Sequence, residues 1–120
     1  MILADTNAWV DHFRKKDLRL VRFLLQERVH TCDVVLGELL LGSGLPEDVN
    51  ASLLALPRVP SPTAAETRLF IERHRRAFAG SGVGWADAQI VLAAAKTGAR
   101  IYTADRGVRK VCGATGVALP

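Results

Sequence analysis

Apolar positions in this chain fall into short unbroken runs and longer helical stripes, and the two alternate. Ile2-Leu3-Ala4 is an apolar run that stops at Asp5, which predicts a short buried strand. Asp5 or Thr6 can then cap a helix carrying Trp9, Val10 and Phe13. Leu20, Val21, Leu24 and Leu25 recur at helical spacing and predict a helix over residues 18–28. Residues 29–32 read as a second strand. Asp33 is a suitable N-cap for a helix over 33–41, ended by Gly42-Ser43-Gly44. Residues 46–56 predict a further helix after a proline start. Residues 57–62 hold three prolines and predict a connector with one edge strand, because proline cannot donate to a central ladder.

Residues 63–78 predict one helix with Ala64, Thr67, Ile71, His74 and Phe78 along a side. Residues 79–84 are a glycine-rich loop. Residues 85–97 are an alanine-rich helix stopped by Gly98. Residues 100–103 predict a strand around Ile101 and Tyr102, 106–112 a short basic helix, and 117–119 a last strand. Short apolar strands alternating with helices imply an α/β fold with a parallel sheet covered on both faces. No repeat, low-complexity tract or linker interrupts residues 1–120, so one domain is expected.

Composition agrees with that picture. The chain has 120 residues, 49% of them hydrophobic, enough for a single compact core. No apolar run reaches the roughly 18 residues of a membrane span, so no membrane association is expected. The chain meets an acid at Asp5, without the basic start and apolar middle of an export signal, which predicts a cytoplasmic protein. Cys32 and Cys112 lie far apart and predict buried thiols in a reducing compartment. The net charge of +4, carried more by arginine than by lysine, favours an anionic partner.

The acids then separate into two groups. Glu27, Glu47, Asp48, Glu66 and Glu72 fit solvated helix faces. Four others do not. Asp5 ends a buried strand and Asp105 follows another, and ligand sites in open α/β sheets gather outside such carboxyl ends, where the strand order reverses. Glu38 shares a helical face with Val34, Val35, Leu41 and Gly42. Asp87 shares one with Ile90, Val91 and Ala94. A carboxylate aimed at apolar packing must find a donor, a cation or a metal. Arginine partners and N-capping are the rival explanations for each acid taken singly. For the set together, a hard cation such as Mg²⁺ with oxygen ligands is the natural solution. His12, His30 and His74 offer no pairing suited to zinc.

Asp5-Thr6-Asn7 after the first strand, Glu38 in Val35-Leu36-Gly37-Glu38-Leu39, Asp87 in Trp85-Ala86-Asp87-Ala88-Gln89-Ile90, and Asp105 in Tyr102-Thr103-Ala104-Asp105-Arg106 resemble a PIN domain. The likeness is to the VapC-type toxin ribonucleases of bacterial toxin–antitoxin pairs and spans essentially the whole chain. It implies a three-layer α/β/α sandwich with a central parallel sheet. It also implies Mg²⁺- or Mn²⁺-dependent cleavage of RNA, inhibition by a cognate antitoxin, and a homodimer. By position, Asp5, Glu38, Asp87 and Asp105 become the catalytic, metal-holding set, with Thr6, Asn7 and Thr103 as supporting polar residues. Asp5 and Asp87 are then the ligands of a main metal, while Glu38 and Asp105 complete its shell or hold a second ion.

Arg106, Arg109 and Lys110 follow Asp105 and can either meet RNA phosphates or form a solvated basic face. Arg73, Arg75 and Arg76 read as a solvated face. Trp9 and Trp85 read as core or interface residues rather than as platforms for bases. Gly80-Ser81-Gly82-Val83-Gly84 lacks the preceding strand and following Lys-Ser/Thr of a nucleotide loop. A haloacid-dehalogenase-like phosphatase wants an aspartate where Asn7 stands. A receiver domain wants one where Pro60-Ser61 stand. The non-enzymatic alternative is a PIN-fold RNA-binding or scaffold module.

Overall fold

Ile2, Leu3 and Ala4 form β1 (Ile2–Ala4), and all three are fully buried. In the computed structural model, which describes residues 1–42 and 44–120, β1 is the middle strand of a parallel sheet. β2 (Val29–His30) pairs on one side, with Ile2 opposite Val29. β3 (Arg100–Tyr102) pairs on the other, with Leu3 opposite Ile101. A strand covered on both faces is apolar throughout, so the run does not alternate. The order β2-β1-β3 places the switch point between β1 and β3, as the strand-end argument requires. The Asp5 N–H donates to the Tyr102 carbonyl at 3.2 Å, holding the two strand ends together.

Both margins of the sheet carry partial pairing. Thr31 bridges in parallel to Arg58, with Val59 N–H donating to the Thr31 carbonyl at 2.8 Å. The proline-rich connector therefore supplies an edge contact. Beyond β3, the Ile101 N–H donates to the Ala118 carbonyl at 3.0 Å, but residues 117–119 do not form the expected strand. Gly116, at φ 78°, turns the chain, and Val117 N–H is spent closing the preceding helix on Cys112.

Eight helices among the described residues surround the sheet: α1 (Thr6–Arg14), α2 (Leu18–Leu25), α3 (Asp33–Leu41), α4 (Glu47–Leu54), α5 (Ala64–Arg73), α6 (Arg75–Phe78), α7 (Trp85–Thr97) and α8 (Arg106–Thr115). The result is the α/β/α sandwich. α7 is its central helix: Ala88 and residues 90–94 are all buried, and α3, α5 and α8 pack on it. Small alanines let those neighbours approach closely.

Several boundaries differ from the sequence expectation. α2 stops at Leu25 because Glu27, at φ 55°, takes the left-handed position of a Schellman closure, with Arg28 N–H bonding the Phe23 carbonyl. Asp33 is the first helical residue rather than the cap. Cys32 holds the cap position without a side-chain bond, and the Asp33 carboxylate pairs with Arg58 at 3.3 Å. Gly42 caps α3, while Ser43 lies outside the described residues. The helix expected over 63–78 breaks at His74 into α5 and α6, and α5 opens with a Thr63–Glu66 capping box. α8 runs to Thr115, longer than expected.

The glycine-rich loop has a definite place. A Cβ at Gly107, in the first turn of α8, would lie 2.2 Å from the Ser81 carbonyl oxygen. Ser81 is itself fixed, its hydroxyl donating to the Phe78 carbonyl at 2.7 Å and accepting from Val83 N–H at 3.1 Å. Gly107→Ala is therefore expected to destabilise the fold by about 1–3 kcal/mol, as overpacking does. A thermal melt unchanged from wild type would contradict that close approach.

Candidate active site

The two strand ends are built alike: strand, capping aspartate, helix. Asp5 follows β1 and caps α1, its Oδ1 accepting from Ala8 N–H at 2.8 Å. Asp105 follows β3 and caps α8, its Oδ1 accepting from Val108 N–H at 2.9 Å. Thr103 lies between them and is nearly buried. Its Oγ1 accepts from Asp105 N–H at 3.0 Å, and its hydroxyl acts on the Asp5 carboxyl to hold that pKa down. One hydroxyl thus stands at both strand ends, beside the switch point.

Glu38 reaches the same region from α3. The Thr6 hydroxyl, at the start of α1, donates to its Oε1 at 2.6 Å. Its surroundings are less apolar than the helical face suggested, because Leu41 is 90% exposed and turns outward. Asp87 lies in the first turn of α7, just before the buried run of that helix.

Electrostatics ties the four together. Asp5 is 1% exposed, and burial pushes its carboxyl pKa up. The hydrogen bonds from Thr103 and Ala8 act against that rise, while the charges of Asp105 and Asp11 add to it. Asp87 is pushed up to about 6, first by burial, then by the charges of Glu38, Asp5 and Asp105. Glu66 shows the opposite case. There Lys96 hydrogen-bonds the carboxylate and the pKa falls to about 2. The ion pairs among the described residues are Arg58–Asp33, Arg68–Glu72 and Lys96–Glu66, so none of the four acids has a cationic partner. Arginine pairing, the rival explanation, is absent there.

The donor set is all oxygen, negatively charged and uncompensated, which fits a hard divalent cation. Among the described residues no three acidic, His or Cys side chains form a group placed to hold a metal ion as they stand. Mg²⁺ retains several waters and uses few direct carboxylates, so it asks for fewer converging side chains than zinc does.

The remaining expected site residues divide. Thr6 and Thr103 contact acids as described. Asn7 is exposed and, among the described residues, makes no side-chain hydrogen bond. Arg109 is tied down, its guanidinium donating to the Thr103 carbonyl at 3.2 Å, so it braces the strand end. Arg106 and Lys110 are exposed without an ion pair among the described residues. Asp11 was not foreseen. It sits exposed on α1, and its charge reaches Asp5 although no periodicity marks it. Cys32 and Cys112 are free and buried, as expected. Burial, followed by the charge of Asp5, raises Cys112 to about 11 and leaves it an inert thiol under the site. No helix among the described residues is long and apolar enough to cross a membrane.

Comparison with known proteins identifies the family and the fold. The PIN domain profile matches residues 2–114. Ribonuclease VapC32 of Mycobacterium tuberculosis, in strains CDC 1551 and H37Rv, is 38% identical over 121 residues, covering 99% of this chain and 96% of the relative. Among solved structures, the crystal structure of FitAcB from Neisseria gonorrhoeae superposes with a TM-score of 0.65 at 25% identity, covering 99% of this chain and 96% of that one. Family profile, full-length relatives and fold agree: the chain belongs to the PIN-domain family, among its VapC-type ribonucleases.

Proposed function

We propose that this protein is a divalent-metal-dependent endoribonuclease, using Mg²⁺ or Mn²⁺, and the toxin of a toxin–antitoxin pair. The observation that carries the reading is the placement of the acids: Asp5 and Asp105 cap the helices that follow two adjacent parallel strands, and Glu38 is tied to the start of α1 by Thr6. Asp5, Glu38, Asp87 and Asp105 are the residues that would hold the cation. Bound there, a divalent ion supplies positive charge opposite the scissile phosphate and acidifies water for attack. The chain's own part is placement. Asp5 and Asp105 are fixed by the helices they cap, Asp5 also by Thr103, and Glu38 by Thr6.

The test is cleavage of a labelled single-stranded RNA by the purified protein. Cleavage is expected with Mg²⁺ or Mn²⁺ and not with EDTA. Equal cleavage in EDTA, or none with either ion, would overturn the proposal. Thr103→Val removes the hydroxyl between Asp5 and Asp105 and is expected to lower kcat about 10- to 100-fold, as losing a ligand's supporting hydrogen bond does. Thr103→Ser should restore most of it. A Thr103→Val variant with wild-type kcat would show that the bridge does not matter.

The same reading supplies partners. A groove of about 450 Å³ is lined by Val10, Phe13, Leu39 and Val49, with Glu38 and Arg14 also in its wall. We assign it to the antitoxin, because an occupant there would cover Glu38 and close one side of the acidic set. A homodimer belongs to the proposal as well, and sedimentation of the isolated chain tests it.

A further inference from the structure

Of the two places the sequence offered Trp85, the core is not the one it takes. The residue is 47% exposed, whereas Trp9 is 3% exposed and stacks on Phe13. Trp85 is outside the hydrophobic core and has no aromatic partner among the described residues. It is the first residue of α7, two positions before Asp87. The loop that leads into it rests on α8 through Ser81 and Gly107. α7 and α8 pack on each other, and the loop's contact at Gly107 brings the approach to α7 against the first turn of α8. The exposed cations Arg106 and Lys110 stand on α8 just beyond that cap. An exposed tryptophan therefore stands at the helix start that carries Asp87, and exposed positive charge stands at the helix start capped by Asp105.

That pairing is how proteins hold a single strand: cations follow the phosphates and an aromatic ring takes a base. We propose that Trp85 stacks on an unpaired base of the RNA next to the phosphate held over the acids, and so contributes to binding and to the choice of cleavage site. The inference rests on the ribonuclease reading above. A base must leave its own stack to reach the ring, so the contact favours unpaired segments over duplex. Arg106 and Lys110 bind the backbone without regard to sequence, while Trp85 selects where a base can swing out.

Steady-state cleavage of a single-stranded RNA by wild type, Trp85→Ala and Trp85→Phe tests this. Trp85→Ala is expected to raise KM about 10- to 100-fold with little change in kcat, and Trp85→Phe to recover most of the loss. Titrating the same RNA into the Asp5→Asn variant should quench tryptophan emission, and adding Trp85→Phe to that variant should remove the quench. An unchanged KM in Trp85→Ala, or quenching that survives loss of Trp85, overturns the inference. So does a Trp85→Ala protein that sediments as a smaller species than wild type, because the ring would then cover an interface between copies. If wild type cuts RNA while Trp85→Ala matches it, this inference alone fails. If wild type neither binds nor cuts RNA, the ribonuclease reading fails and takes it along.

Discussion

Asp5→Asn is expected to abolish RNA cleavage and yet leave the metal-free protein as stable as wild type, or more so. The two halves come from different properties of one carboxylate. Its charge is what a divalent cation needs, and losing that charge removes several kcal/mol of transition-state stabilisation, about 10²- to 10⁴-fold in rate. Its shape is what the fold needs. Asp5 caps α1 through Oδ1 and Ala8 N–H, and asparagine caps a helix as well as aspartate does. The substitution also removes a buried, unpaired charge whose pKa the fold raises. Cleavage at saturating Mg²⁺ and melting in EDTA at neutral pH read the two halves separately. Near wild-type cleavage would sink the assignment of Asp5. A large drop in melting temperature would show that its structural role had been misjudged.

Much of the architecture could be read from local pattern. Ile2-Leu3-Ala4 is too short and too apolar for anything but a covered strand, and Asp5 is legible as its end and as a helix cap. Gly98 stops α7 at φ 73° as the sequence suggests. Open-sheet rules bring Asp5 and Asp105 to one crevice if β1 and β3 are neighbours, and the structure pairs those two strands.

What could not be read depends on contacts distant in sequence. Glu38 was singled out for standing on an apolar face, but Leu41 on that face is exposed, and the bond that orients Glu38 comes from Thr6 on another helix. Composition leaves a break at His74 invisible, because no proline or glycine marks it. Glu27 occupies a left-handed position normally given to glycine, so α2 looked longer than it is. Trp85 was read as a core or interface residue. Its place at the first turn of α7, ahead of the buried run, keeps it out of the core.

The metal-free protein is expected to become more stable as the pH falls from about 8 to about 5, and Mg²⁺ is expected to cancel that trend. The sign follows from Asp87, whose folded pKa is about 6 against an ordinary 3.8. Between those values the folded state holds a proton that the unfolded chain has released, so stability is lost as the pH rises through about 6. Asp5 is raised as well and acts in the same direction. Glu66 and Asp17 are lowered, so the stability they contribute is lost only at more acid pH, below this window. Allowing for screening of a partly exposed group, Asp87 accounts for about 1–2 kcal/mol, which in a domain of this size is roughly 3–10 °C in Tm. A divalent cation binds the ionised acids and stabilises the fold by mass action, so millimolar Mg²⁺ should raise Tm by several degrees at pH 8 and by much less at pH 5, where protons compete. Asp87→Asn should flatten the EDTA profile and weaken the Mg²⁺ response. Melting curves across pH, with EDTA or Mg²⁺, decide it. A metal-free Tm that climbs from pH 5 to 8, or a wild-type Tm indifferent to Mg²⁺ at pH 8, would mean that the four acids do not share an uncompensated charge.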